Sequence, residues 1–219
     1  MDLELLAHLK TYLTERRLQL FREVLAERTR HFTVVTEDVY QMHNTSAVLR
    51  SCDVFGIQDL HVIEEKLGKK MDREIAMGAQ KWVTVHRHEN ANHCMTQLRE
   101  AGYQIIATSP HNDSQLLKDF KIDSKCAFFF GKENTGLSEA VLEGADGYLK
   151  IPMYGFTESL NISVSAAIIL QQLVTKLKLS AIPWHLSEQE KLELELDWTQ
   201  KTIKSAPEII ERYYQDKNA

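Results

Sequence analysis

Three stretches of this 219-residue chain hold the residue types and spacings that could act on a ligand. In 151–165, IPMYGFTESLNISVS, an apolar strand end (Tyr148 to Ile151) meets Pro152, and a seven-residue turn runs to Ser159. From Leu160 the chain is almost wholly apolar for four helical turns, interrupted by Asn161, Ser163 and Ser165. A strand, a Pro/Gly loop and a buried helix opening with Ser and Asn set backbone amides and side-chain amides in one crevice. Crevices at the carboxyl ends of strands are where α/β proteins bind ligands. FFFGKENTGLSEAVLEGA (128–145) repeats the layout one unit earlier: an apolar strand to Phe130, a glycine-punctuated loop, a short helix from Ser138, and Gly144 as a stop. HNTSAVLRSCDVFG (43–56) offers Asn44 as a helix N-cap and Gly56 as a C-terminal stop.

Other chemistries are argued against by what is missing. The chain contains no GxG, so the dinucleotide fingerprint is absent. GKENTG lacks the GxxxxGK[ST] of a phosphate loop. HRHENANH (86–93) gathers His86, His88, Glu89 and His93, yet lacks HExxH spacing. Alternate strand residues followed by a helix should disperse these groups, so no metal is expected.

The elements that must position these residues read as an alternation. Apolar residues at helical spacing (Leu5, Leu6, Leu9, Leu13, then Leu20, Phe21, Val24, Leu25) predict helix over 2–29 with a break around Thr14 to Arg17. About six strands follow: Phe32 to Thr36, Asp59 to Ile63, Trp82 to His86, Tyr103 to Thr108, Cys126 to Phe130, and Tyr148 to Ile151. Helices fall between them, including one from Asn90 ended by Gly102. This alternation predicts an α/β fold, a mostly parallel sheet with helices on both faces. Pro183 is expected to end the long helix, and Ser187-x-x-Glu190 makes a capping box for the next. The LELELDW run is read as helix, with Leu192, Leu196, Thr199 and Ile203 as its buried stripe, and Pro207 opens a last short helix. The organisation expected is a helical extension over 1–30, a central domain over 31–180, and a second helical extension over 181–219.

Composition is that of a soluble globular protein, 43% hydrophobic and 26% charged. The N-terminus reads as neither signal nor transit peptide, and the run from Ile162 to Leu173 is too short to span a bilayer. Cys52, Cys94 and Cys126, odd in number and without CxxC spacing, point to a reducing cytoplasm. The net charge of −5 argues against a nucleic-acid partner. Distribution tempers this: Arg16, Arg17, Arg22, Arg28 and Arg30 concentrate near the N-terminus, Lys66, Lys69, Lys70 and Arg73 in one segment, and much of the acidity in 187–197.

Asn44 to Arg50, Gly131-x-Glu133-x-x-Gly136, and Ile151-Pro152-Met153 with Ser159-Leu160-Asn161 resemble the three ordered motifs of the SPOUT superfamily of methyltransferases. Within it they look most like the ribose 2′-O-methylating branch that acts on guanosine in tRNA. The resemblance covers about 31–180. It implies a trefoil-knotted fold, S-adenosylmethionine as cofactor, and a homodimer built on the helix after Leu160. It also implies an adenine slot built by Thr108, Gly131, Ile151, Met153 and Leu160, with Ser159 and Asn161 beside it. Arg50 would act on the ribose hydroxyl, with Asn44 and Glu133 as the other catalytic positions. Because arginine is a poor general base, Arg50 is read as stabilising the forming alkoxide; a surface ion pair with Asp53 is its plain structural reading. His43, Lys81, Lys176 and Lys178 are candidate substrate contacts, and the D-loop guanosine at position 18 of tRNA is the expected target. The alternatives are a ribosomal RNA 2′-O-methyltransferase and a non-catalytic RNA-binding protein retaining the fold.

Overall fold

The computed structural model of the protein describes residues 2–37, 42–64, 76–109, 114–132 and 135–217. In chain order its elements are α1 (Leu3–Lys10), α2 (Glu15–Ala26), β1 (Phe32–Glu37), α3 (Met42–Val54), β2 (Asp59–Ile63), a 3-10 turn (Ala79–Lys81), β3 (Thr84–His88), α4 (Ala91–Glu100), β4 (Gln104–Thr108), β5 (Gln115–Leu116), a second 3-10 turn (Leu117–Asp119), β6 (Cys126–Phe130), α5 (Glu139–Gly144), β7 (Gly147–Lys150), α6 (Ile162–Lys178), α7 (Glu188–Thr202) and α8 (Ala206–Lys217). They form two compact units, residues 29–184 and the two chain ends up to Arg28 and from His185.

In the larger unit the strands make one seven-stranded sheet in the order β3-β2-β1-β6-β4-β7-β5, and each described pairing is parallel. The centre is β6, whose sequence CAFFF is buried throughout. Side chains of a strand alternate between faces. Phe128 and Phe130 therefore join Phe32, Val34, Leu49, Ile169, Leu170 and Leu173 in a core under α3 and α6. Ala127 and Phe129 join Val35, Met95, Leu98, Ile105 and Val141 in a second core under α4 and α5. A strand covered on both faces reads as an unbroken apolar run, which is why β6 shows no polar alternation.

The smaller unit is helical. Asp2 and Thr14 cap α1 and α2, accepting from Leu5 N and Arg17 N, so α2 starts within the expected break around Thr14 to Arg17. Ser187 and Glu190 close the expected capping box of α7. Its buried stripe is Leu194, Glu195, Trp198 and Thr199, not the expected one through Leu192, Leu196 and Ile203. Trp198 sets the phase: its ring meets the Phe21 ring at 5.6 Å and lies under the Arg28 guanidinium at 5.4 Å. An aromatic side chain buries more area than any leucine. Glu195 tolerates burial because Lys10 Nζ stands 2.7 Å from its carboxylate.

Three other expectations are corrected. Asn44 is not a cap: α3 begins at Met42, and the buried Asn44 side chain has a distant partner described below. The third strand is Thr84–His88 rather than 82–86, because Ala79–Lys81 coils into a 3-10 turn after Gly78, which takes φ +89°. The long helix stops at Lys178, before Pro183. Ser180 ends it, its hydroxyl donating to Leu177 O at 2.7 Å while accepting from Ile182 N.

Leu170 of α6, fully buried in the core beside Phe128 and Phe130, should cost about 2–5 kcal/mol when replaced by alanine. Ser187→Ala should cost only about 1 kcal/mol through its lost cap. Urea unfolding of both variants measures the contrast.

Candidate active site

β6, β4 and β7 are adjacent, so their carboxyl ends set Gly131, Thr108 and Ile151 side by side. The loop after β6 folds back on itself: Lys132 N donates to Gly136 O and Gly136 N to Lys132 O, both at 2.9 Å. Gly136 takes φ +70°, in the left-handed region that glycine enters without strain. A Cβ on Gly131 would overlap the backbone of Gly136 and Leu137, so no other residue fits. Thr108 Oγ1 donates to Phe129 O at 2.7 Å, strapping the end of β4 to β6. Ile151 is half-buried against the main core, and Met153 is half-buried. Ser159 and Leu160 are exposed, Leu160 at 39%.

Beside the core that α3 and α6 share, a side-chain hydrogen bond ties the first and third sequence stretches together. Asn161 caps α6, its Oδ1 accepting from Ser163 N at 2.8 Å. Its Nδ2 donates to Asn44 Oδ1 at 3.1 Å, across 117 residues of sequence. The first turn of α3 is thereby held against the start of α6. Arg50 lies six residues further along α3, about 9 Å of helical rise, and is exposed. Among the described residues it makes no ion pair, so the surface pair with Asp53 is not formed. Glu133 and the side chain of His43 lie outside the described residues. Lys81 ends the 3-10 turn before β3 and so lies at the amino end of the sheet. Lys176 Nζ donates to Phe120 O at 2.6 Å, and Lys178 sits 5.4 Å over the Trp184 ring. The structure brings Asn44, Thr108, Gly131, Ile151 and Asn161 to one end of the sheet and leaves the lysines away from it.

Sequence reasoning missed Glu37. This carboxylate, 5% exposed at the end of β1, accepts from Ser138 N at 2.8 Å and Ser138 Oγ at 2.6 Å. It fixes the start of α5 and hence one end of the Gly131–Gly136 loop. Lys132, Asn90 and Ser138 line a cleft of about 340 Å³ with it. An acid closing a strand gives no local signal of a serine 101 residues away.

The histidines are not dispersed, contrary to expectation. His86 and His88 share a face of β3 in register with β2, and His61 of β2 stacks between them, centroids 4.5 Å from His86 and 5.1 Å from His88. The sequence window held only one of the two strands, and His61 lay outside it. Burial and the neighbouring His86 and His88 lower the His61 imidazole to about 3. Burial chiefly lowers His88 as well. Burial pushes the Asp59 carboxyl up, but hydrogen bonding from His86 and the charge of Arg30 together hold it below its ordinary value. Burial and then the Glu37 charge push the Cys94 thiol up to about 12.

A parallel sheet with glycine- and proline-shaped loops gathered at its carboxyl ends defines an α/β protein with a ligand crevice at its strand ends. Residues 31–171 match the SpoU rRNA Methylase family, and the chain belongs to that family. It is 39% identical over 90% of both chains to a tRNA (guanosine(18)-2′-O)-methyltransferase of Borreliella burgdorferi. It is 38% identical to a protein of that name from Thermus thermophilus, over 72% of this chain and 81% of that one. Among solved structures, the Aquifex aeolicus TrmH/SpoU tRNA modifying enzyme superposes with a TM-score of 0.78 at 31% identity, covering 87% of this chain and 98% of that one. The methyltransferase AviRb of Streptomyces viridochromogenes in complex with AdoMet shares the fold with a TM-score of 0.63 at 23% identity, over 72% of this chain and 65% of that one.

Gly131→Ala should open the Lys132–Gly136 loop. The expected outcome is loss of cofactor binding by isothermal titration, with the far-ultraviolet circular dichroism of the remaining fold kept.

Proposed function

We propose that this protein is an S-adenosylmethionine-dependent tRNA (guanosine-2′-O)-methyltransferase acting on the D-loop guanosine at position 18. The observation that carries the reading is the Asn161–Asn44 hydrogen bond. It joins the first and third motifs beside the strand ends that hold Thr108, Gly131 and Ile151. Relatives named for guanosine 18, at 39% and 38% identity, favour tRNA over the ribosomal alternative that the family's description carries. The trefoil knot belongs to the same reading, supported by β6 lying between β1 and β4 and β7 between β4 and β5.

The residues present suit the cofactor. Ile151, Met153 and Leu160 offer partly exposed apolar surface for a purine. Beside them the backbone of 152–160 belongs to neither sheet nor helix, so loop amides and carbonyls can meet the adenine edge. Bound there, S-adenosylmethionine supplies a methyl group already activated on sulfonium. The protein's share is therefore position and charge. Asn44, fixed by Asn161, orients the first turn of α3. The exposed Arg50 guanidinium stabilises negative charge growing on the ribose 2′-oxygen, with Glu133 orienting it. Arginine keeps its own proton, so the hydroxyl proton passes to an RNA phosphate or to water. His43, next to Asn44, is the substrate contact best placed for this site; Lys81 and Lys176 reach only a substrate that wraps the sheet. Such an enzyme works in the cytoplasm, and no helix among the described residues is long and apolar enough to cross a membrane.

A homodimer is part of the proposal. Leu160, Val164 and Ile168, exposed at 39%, 45% and 37%, follow one stripe into α6, and Tyr154 and Phe156 are wholly exposed in the loop before it. Contiguous apolar surface of this kind marks an interface. Sedimentation should give a dimer at micromolar concentration and a monomer for Ile168→Glu; a wild-type monomer counts against the assembly.

Methyl transfer to tRNA, with the modified ribose mapped, tests the function. Modification of guanosine 18 is expected, and modification confined to ribosomal RNA would overturn the tRNA assignment. Arg50→Ala should lose about two to three orders of magnitude in single-turnover rate while cofactor affinity stays unchanged. Near-normal rates with saturating tRNA would remove Arg50 from the chemistry.

A further inference from the structure

The face of the sheet beneath α4 holds a cluster that methyl transfer does not use. His61 Nδ1 stands 2.9 Å from His88 Nε2. One donor atom each from His61, His88 and Cys94 lie within 4.8 Å of one another. His88 is 4% exposed and Cys94 fully buried, and His88 Nδ1 is buried with no hydrogen-bond partner. These donors come from three elements: neighbouring parallel strands β2 and β3, and the first turns of α4, which Asn90 caps. The surroundings are also built. The His86 ring stacks on His61 and is tied by its Nε2 to Asp59 Oδ1 at 2.8 Å, with Arg30 on the other oxygen. The His93 ring lies 6.0 Å from that of His88.

We propose that His61, His88 and Cys94 form a binding site for one zinc ion, clipping β2 and β3 to α4. Two imidazoles and a thiolate make a nitrogen and sulfur set that suits zinc and not magnesium or calcium. Bonds of about 2.0 Å to nitrogen and 2.3 Å to sulfur in tetrahedral geometry need donors about 3.5 Å apart. The cluster therefore has to contract slightly around the ion, while the two facing ring nitrogens have to part slightly. On binding, the His61–His88 hydrogen bond gives way to two metal–nitrogen bonds, each ring keeping one N–H on its other nitrogen. The Cys94 thiol proton leaves to solvent, and a coordinated thiol is deprotonated. A water or His93 completes the fourth position. The site is independent of the proposed methyl transfer.

The test uses the full chain stripped with a chelator and titrated with cobalt(II), then with zinc(II). One equivalent of cobalt should bind with a thiolate-to-metal charge-transfer band, zinc should displace it, and zinc should raise the melting temperature. Cys94→Ser should abolish the band, and His61→Gln should weaken zinc binding at least about tenfold. Should Cys94→Ser fail to fold, the half-buried His61→Gln decides. The proposal is overturned if cobalt gives no thiolate band, or if His61→Gln binds zinc as the wild type does, which would leave only adventitious surface binding. Methyl transfer by the stripped protein should be unchanged, so either reading can fail without the other.

Discussion

Burial of β6 on both faces is the constraint on which the larger unit depends. Phe128 and Phe130 must be covered from one side and Phe129 from the other, so helices are required on both. Paired on both edges and covered on both faces, β6 takes the middle of the sheet between β1 and β4. That placement separates β1 from β4 and sets their carboxyl ends on either side of the Gly131 loop. The crevice follows from where the phenylalanines have to go.

Loops at such a crevice hold their shape only if something ties them down. Glu37 does so at the start of α5 by accepting two hydrogen bonds from Ser138. Thr108 does so at the end of β4 through Phe129 O, and Asn161 does so at the start of α6 through Asn44. A neutral amide pair and a buried carboxylate with two donors each satisfy groups that would be costly to bury alone. Most of the polar side chains that shape this end of the sheet are spent on the protein itself. Arg50, exposed and without an ion-pair partner among the described residues, stands apart from them.

Much of this was legible in the sequence, and for physical reasons. Parallel alternation, the helix starts at Asn90 and Ser138, the capping box at Ser187 and the stop at Gly56 are local, so short windows contain them. The phase of α7 was misread because the choice between leucine stripes rests on Trp198 and its partner Phe21, near the other end of the chain. Asn44 looked like a cap because asparagine favours caps, whereas a distant amide claimed its side chain. The histidine cluster and Glu37 were missed for the same reason: register between strands and pairing across the sheet leave no trace in one short segment.

The Asn44–Asn161 and Glu37–Ser138 bonds span 117 and 101 residues, and that reach governs how the molecule comes into being. Contacts of long sequence separation form slowly, since much chain entropy must be lost before they repay it. During synthesis β1, α3 and β2 emerge early with no central strand to pair against. The crevice cannot close until residue 161 has left the ribosome. A chain ending before Asn161 lacks the tie between α3 and α6, and the face of its apolar central strand that α6 covers stands exposed to other chains.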